Sequence, residues 1–164
     1  MKSGSIAAAG LAAFLVSATS AAAETLVERG QYLAHIMDCG GCHHTGAFTP
    51  QPNMATPLAG SDIGFEIPGM GVFYPPNLTP DQATGIGKWT DAEIVTAITT
   101  GARPDGRQLA PMMPYMSYAH ISADDAAALV AYLRSLKPVA HKVPGPFGPN
   151  DKPNAPYFTV VAPK

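Results

Sequence analysis

The chain has 164 residues, of which 46% are hydrophobic and 13% charged, and this length suits one domain with a modest core. Its formal net charge of −2 at pH 7 argues against a nucleic-acid partner, which would need a basic face. The 17 prolines and 16 glycines predict much loop, so the chain needs something besides its own side chains to pack against.

The N-terminus, residues 1–23, has the pattern of a secretory signal peptide. Lys2 precedes an apolar run at 6–16, which is too short to span a bilayer, and small residues end at Ala23. We therefore expect export to the periplasm with cleavage after Ala23. A retained membrane anchor is the alternative interpretation of the same residues.

A helical pattern follows directly. Leu26, Leu33 and Met37 have helical spacing, which predicts a helix over 25–37. Gly30 lowers the helix propensity of this stretch, so a close crossing with another helix at this glycine is a reasonable explanation. The alternative explanation is that the helix simply tolerates a glycine at this position.

The only two cysteines come next, in the sequence Cys39-Gly40-Gly41-Cys42-His43. This is the C-x-x-C-H pattern of haem attachment, in which both sulfurs share one face of a helical turn and the histidine turns towards the iron. A disulfide would predict no histidine here, a thioredoxin-like pair usually sits in a βαβ unit, and a zinc site needs more ligands. We predict one covalent haem c.

Residues 45–80 are dense in Gly, Pro and Asn without a clear apolar period, which predicts irregular loop around the cofactor. Thr90 and Glu93 then form a capping box, and the apolar stripe behind them predicts a helix that ends at Gly101. Trp89 precedes the cap. It is either a packing residue or an indole N–H donor to a haem propionate.

Three methionines, Met112, Met113 and Met116, lie in a proline-broken loop at 110–118. Methionines often fill gaps in a core, but a loop downstream of a haem helix is also where a second axial iron ligand is expected. The residues themselves therefore predict that at least one of the three binds iron, and leave open which one.

The last predicted helix covers 122–136, with Ser122 as its N-cap and an apolar face behind it. Pro138 follows it, and six further prolines exclude a helix from the remaining chain, which is either extended against the body or mobile. The predicted parts are a signal peptide at 1–23, a haem domain at 24–139 and a proline-rich C-terminal tail at 140–164.

This order of elements resembles a class I cytochrome c. Four stretches make the resemblance more specific. They are Tyr-Pro-Pro-Asn-Leu-Thr-Pro-Asp at 74–81, Thr-Gly-Ile-Gly-Lys-Trp-Thr-Asp at 84–91, Met-Pro-Tyr at 113–115 and Ala-Tyr-Leu at 131–133. They are similar to the haem modules in cytochrome c subunits of membrane-associated bacterial dehydrogenases that act on alcohols, gluconate or N-heteroaromatic compounds. The resemblance covers roughly 26–139.

The resemblance implies an all-α class I cytochrome c fold, with about three to five helices and long loops around one haem. It implies thioether bonds at Cys39 and Cys42, with His43 as the proximal iron ligand. It also implies Met113 as the distal ligand and a crossing of the first and last helices that sets Gly30 against the Tyr132 region.

The leading expectation for function is a periplasmic mono-haem electron carrier without catalytic activity of its own. It would take single electrons from a dehydrogenase and pass them to a terminal oxidase or another cytochrome, with peripheral membrane association only through partners. A haem subunit fixed in a dehydrogenase complex, with the proline-rich tail as a clamp, is the nearest alternative.

A haem enzyme or gas-binding protein with an open distal site is a further alternative, and it would need Met113 off the iron and a residue such as His120 for acid–base chemistry. His35, His44 and His141 are the candidates for a bis-histidine iron. Arg103 and Arg107 are either ordinary solvated surface or contacts to a partner or to propionates.

Overall fold

The computed structural model describes residues 23–163, so the predicted signal peptide lies outside the described residues except for Ala23. Five helices lie within this range: α1 Leu26–Ile36, α2 Cys39–His43, α3 Asp91–Thr100, α4 Tyr115–Tyr118 and α5 Ala123–Ser135. Three short strands accompany them: β1 Gly64–Ile67, β2 Gly71–Phe73 and β3 Tyr157–Phe158. Within the described range, none of the helices has the length and apolar character needed to cross a membrane.

Side-chain caps explain where the three longer helices begin. The Thr90 hydroxyl accepts from the Glu93 amide, and the Glu93 carboxylate accepts from the Thr90 amide, which is the capping box predicted for α3. Ser122 caps α5 as predicted, and Thr25 caps α1 in the same way as Thr90 caps α3. Gly101 ends α3 with φ of 77°, a backbone conformation that favours glycine.

The first and last helices cross at Gly30, as the resemblance implies. A Cβ atom at this position would lie 2.6 Å from the carbonyl carbon of Ala128 and 2.7 Å from Cβ of Tyr132, so only glycine permits this approach. Leu33 and Leu129 are buried between the two helices. The crossing brings the two ends of the predicted domain together.

A small sheet corrects the expectation of an all-α fold. The strand order is β2-β1-β3, with β1 antiparallel to β2 and parallel to β3. The first two strands lie in the stretch predicted as irregular loop, and α4 lies in the predicted methionine loop. Phe65 of β1 packs against Phe48 and Phe158 with ring centroids 5.2 and 5.8 Å apart, which joins three distant stretches of the chain.

The chain after α5 is extended against the body, which is one of the two predicted alternatives. Phe147 exchanges two backbone hydrogen bonds with Val72, each 2.9 Å long. The Tyr74 hydroxyl donates to the Ala155 carbonyl oxygen at 2.8 Å. We call residues 139–148 the strap, because this segment crosses the molecule beside β2.

Candidate haem-binding site

A cavity of about 560 Å³ lies between the helices, the hairpin that β1 and β2 form, and the strap. This is the size range of pockets that hold small molecules and cofactors. Its wall is mostly apolar and includes every residue that the sequence predicts for the haem site: Cys39, Cys42, His43, Trp89 and Met113. The fold therefore brings together side chains from three separate stretches of the chain.

The two cysteines lie on the single turn of α2. Asp38 begins this turn in the left-handed conformation, with φ of 53°, and its carboxylate accepts from the Gly41 amide at 3.1 Å. Both thiols are free, and burial raises the pKa of Cys39 to about 11 and also raises the pKa of Cys42. Two neutral thiols on one face, both lining the cavity, suit attachment of a porphyrin edge.

His43 is buried, with 6% of its surface exposed, and its Nδ1 lies 2.7 Å from the Pro76 carbonyl oxygen. Because a carbonyl oxygen can only accept, Nδ1 donates, and the unprotonated nitrogen of the neutral ring is Nε2. Burial lowers the pKa of His43 to about 4, which keeps the ring neutral at physiological pH. A neutral imidazole held through its other nitrogen is the usual form of a histidine metal ligand.

The three methionines differ in their surroundings. Met113 is half-buried on the cavity wall, whereas Met112 also lines the cavity but is 54% exposed. Met116 is 71% exposed and lies off the wall, so it does not pack into the cavity. The Tyr118 hydroxyl donates to the Met37 carbonyl oxygen at 2.7 Å, which holds this segment against the end of α1.

Trp89 is half-buried on the cavity wall and packs against the core cluster that includes Ile94. The guanidinium carbon of Arg103 lies 5.0 Å from the centre of its ring, a cation–π contact. Arg103 and Arg107 also line the cavity, and both bind the Asp105 carboxylate. This pairing holds the pKa of Asp105 below its usual range, although burial of the carboxyl group opposes it.

The residues present thus fit a covalently attached haem: two thiols, one neutral imidazole and one thioether face a single apolar cavity. The family model of cytochrome c matches residues 27–137. The chain belongs to the cytochrome c family. This result supports a haem-bearing electron-transfer domain as its general character.

Several relatives of this cytochrome c domain are subunits of dehydrogenases. It is 39% identical to the cytochrome c subunit of alcohol dehydrogenase (quinone) of Gluconacetobacter polyoxogenes, over 79% of this chain and 27% of the relative. It is 37% identical to the gluconate 2-dehydrogenase cytochrome c subunit of Pantoea cypripedii, over 80% of this chain and 28% of that protein. It is 39% identical to a nicotinate dehydrogenase subunit of Pseudomonas putida, over 73% of this chain and 9% of that subunit.

These matches confirm the predicted resemblance to haem modules of alcohol, gluconate and N-heteroaromatic dehydrogenases. The chain spans less than a third of the length of each of these three relatives. It therefore corresponds to one part of each of them.

The other histidines of the described chain lie off the cavity wall: His35, His44, His120 and His141. His44 is buried, and its Nδ1 accepts from the Leu58 amide at 3.3 Å. His141 is held by the Ala59 carbonyl oxygen and the Asp62 carboxylate, and His120 is exposed. Among the described residues, none of these four rings lines the cavity, whereas the thioether of Met113 does.

Part of the wall comes from residues that the sequence analysis does not single out. The hairpin contributes Phe65 and Met70, and the strap contributes Val143 and the peptide segment that follows it. Asn77 also lines the cavity and is 1% exposed. The stretch at 74–81, used only for the family resemblance, is the sequence signal that could have identified Asn77.

Proposed function

We propose that this cytochrome c is a periplasmic mono-haem electron carrier, which accepts single electrons from a dehydrogenase and passes them towards a terminal oxidase or another cytochrome. The observation that carries the proposal is the shared wall of one apolar cavity, where His43 keeps Nε2 unprotonated and Met113 supplies a thioether. A bound haem would supply an iron that gains and loses one electron.

The residues of the chain have distinct parts in this proposal. Cys39 and Cys42 would hold the haem by thioether bonds, and His43 and Met113 would be the protein ligands of its iron. With the iron held by two protein ligands, no position would be left for substrate, so the domain would need no catalytic acid or base. The apolar walls exclude water, and the pair of histidine and methionine favours a raised reduction potential.

A haem-bearing electron-transfer subunit held in a dehydrogenase complex is the second candidate. It is favoured by the relatives, which are subunits of alcohol, gluconate and nicotinate dehydrogenases and are more than three times as long as the matched part. Size-exclusion chromatography of the protein from its native membrane and soluble fractions separates the two. A carrier elutes alone, and a fixed subunit elutes with a dehydrogenase.

Intact mass spectrometry of the full chain, expressed in a host that exports it and attaches haem, tests the proposal directly. We expect the mass of residues 24–164 plus one haem, which reports attachment and cleavage after Ala23 together. The paired variant Cys39→Ser, Cys42→Ser is the control, and it should have the bare polypeptide mass. A native mass without haem would contradict the proposal.

Carbon monoxide binding then tests the closed coordination. We expect the reduced protein to have a low-spin visible spectrum and to resist carbon monoxide, because the iron has no free position. Rapid carbon monoxide binding together with peroxidase or oxidase turnover would instead favour a haem enzyme.

A further inference from the structure

We infer that Asn77 is a positioning residue for the iron site. Its side chain bonds to the strap and thereby holds the Pro76 carbonyl in place as the hydrogen-bond acceptor of His43. This inference rests on the proposed function, because it takes His43 as the axial ligand. It assigns a role in the haem site to a buried amide and to the chain that follows the last helix.

Asn77 makes hydrogen bonds through both ends of its side-chain amide. Its side-chain nitrogen donates to the Val139 carbonyl oxygen at 2.7 Å and to the Thr84 hydroxyl at 3.1 Å. Its side-chain oxygen accepts from the amide of Thr79 at 2.9 Å and from the hydroxyl of Thr79 at 2.7 Å. A carbonyl only accepts and a backbone amide only donates, so these partners fix the orientation of the amide group. Burial makes each of these bonds costly to lose.

Asn77 shares a peptide unit with Pro76. The Pro76 carbonyl that accepts from His43 belongs to the planar peptide group that ends at Cα of Asn77. The proline ring also restricts the backbone on the other side of that carbonyl. A fixed Asn77 therefore fixes the direction in which the Pro76 oxygen points.

The segment around Pro76 is held from two sides. On one side, backbone bonds join Ser61 to Pro75 at 3.0 Å and Leu78 to Leu58 at 2.8 Å. On the other side, side chains rather than backbone hydrogen bonds connect this segment to the strap. Asn77 reaches Val139, and the Val139 amide donates to the Thr79 hydroxyl at 3.1 Å.

The strap is itself anchored beyond this point. The His141 amide donates to the Thr84 hydroxyl at 3.0 Å, and its ring bonds to the Ala59 carbonyl oxygen at 2.7 Å. The strap then continues into the cavity wall at Val143 and the residues after it. Asn77 therefore links a wall of the haem cavity to the hydrogen bond that orients His43.

The consequence is chemical as well as structural. A hydrogen bond from the free nitrogen of a ligating histidine raises the basicity of the ligand and holds its ring in place. Loosening the Pro76 carbonyl should weaken that bond, which makes the imidazole a poorer donor and favours reduced iron. The reduction potential should then rise, while the ligands themselves stay the same.

The test compares variants of the full haem-loaded protein at Asn77 and Thr79. In Asn77→Ala, we expect a raised reduction potential, and exchange of the His43 Nδ1 proton with solvent that is faster by about tenfold, as expected for loss of one buried hydrogen bond. Thr79→Val keeps the side-chain shape but removes the hydroxyl between Asn77 and Val139, and it should change both readouts in the same direction. Thr79→Ser keeps the hydroxyl and should restore the native values.

Val130→Ala is the control for stability alone. Val130 is buried on α5 and does not line the cavity, and its aliphatic side chain takes no part in the hydrogen bonds around Pro76. This variant should lower the unfolding temperature and leave the potential and the proton exchange unchanged. If Asn77→Ala does not fold, the Thr79 pair decides the question.

An unchanged potential and unchanged exchange in Thr79→Val would overturn the inference. That result is distinct from failure of the proposed function, which would appear in the native protein as missing haem or rapid carbon monoxide binding. A loss of stability in the Asn77 and Thr79 variants with native potential and exchange would also overturn it, because Asn77 would then be a structural residue only.

Discussion

At the scale of single residues, burial separates Met113 from its two neighbours. Met113 is half-buried on the cavity wall, Met112 lines the cavity with more than half of its surface exposed, and Met116 lies off the wall. The segment begins with a turn in which the Met113 amide donates to the Ala110 carbonyl oxygen at 2.9 Å. Pro114 restricts the backbone directly after Met113. These features support the proposal that Met113 is the distal ligand.

The substitution Met113→Ala should remove the sulfur ligand. We expect the weak near-infrared band from sulfur to oxidised iron to disappear and the reduction potential to fall, because the histidine and methionine pair raises the potential. Near-infrared absorption and a redox titration measure the two effects.

The matched control for this substitution is Met116→Ala, which removes the same side chain three residues later in the same segment. It should keep both the band and the potential. If the band survives in Met113→Ala and is lost in Met112→Ala or Met116→Ala, the assignment of Met113 is wrong.

At the scale of elements, the three longer helices were predictable because local chemistry decides them, whereas α4 lies in a segment predicted as loop. Thr90, Glu93 and Ser122 satisfy the free amides at the helix starts, and apolar periodicity marks the buried faces. The strands were not predictable. β1 has only four residues, and one of the strands that pair with it, β3, lies at the far end of the chain. Long-range pairing of this kind leaves little local signal.

The candidate site also has a part that the sequence predicts and a part that it does not. Cys39, Cys42 and His43 are recognisable from their spacing alone, whereas Met113 required the family resemblance. The strap residues such as Val143 could not be predicted as cavity wall, since proline-rich chain after a last helix has the same composition whether it is packed or mobile. Tertiary hydrogen bonds, among them those of Asn77 and Phe147, place the strap against the body.

The crossing of α1 and α5 leads to a stability prediction for Gly30→Ala. Alanine has the higher helix propensity, by roughly 0.8–1.0 kcal/mol. The new methyl group would overlap the Ala128 carbonyl and Cβ of Tyr132, and overpacking of a core costs about 1–3 kcal/mol or more. We therefore expect a lower free energy of unfolding, measured by guanidinium titration.

Gln31→Ala is the control for this helix. Gln31 is exposed on α1 next to Gly30, so alanine at this position adds helix propensity without a clash. Its stability should equal or slightly exceed that of the native protein. A Gly30→Ala variant as stable as Gln31→Ala would show that the close crossing is not needed.

At the scale of the whole molecule, the charge balance leads to a prediction about electron exchange. The chain has a formal net charge of −2 at pH 7, and a bound haem would add its propionates. Exposed charges act over about 30 Å at 0.01 M salt but only about 10 Å at 0.1 M. Oxidation of the reduced protein by the cation tris(phenanthroline)cobalt(III) should therefore slow as salt rises, measured by stopped flow.

The anion ferricyanide provides the matched comparison, and its reaction should become faster as salt rises. The opposite pair of trends would contradict the prediction. It would show that Arg103 and Arg107 at the cavity, rather than the net charge, dominate the field where electrons leave.

The crossing of the terminal helices also has a consequence for folding kinetics. Arg29 and Asp125 hydrogen-bond at 2.8 Å although they are 96 residues apart in the chain. Helical proteins usually fold quickly because their contacts are local, whereas this helix pair forms only after a long loop has closed. The entropy of loop closure grows slowly with length, so the cost lies mainly in the folding rate and little in the final stability. This cytochrome c should therefore fold more slowly than a helical bundle of the same size whose neighbouring helices are consecutive.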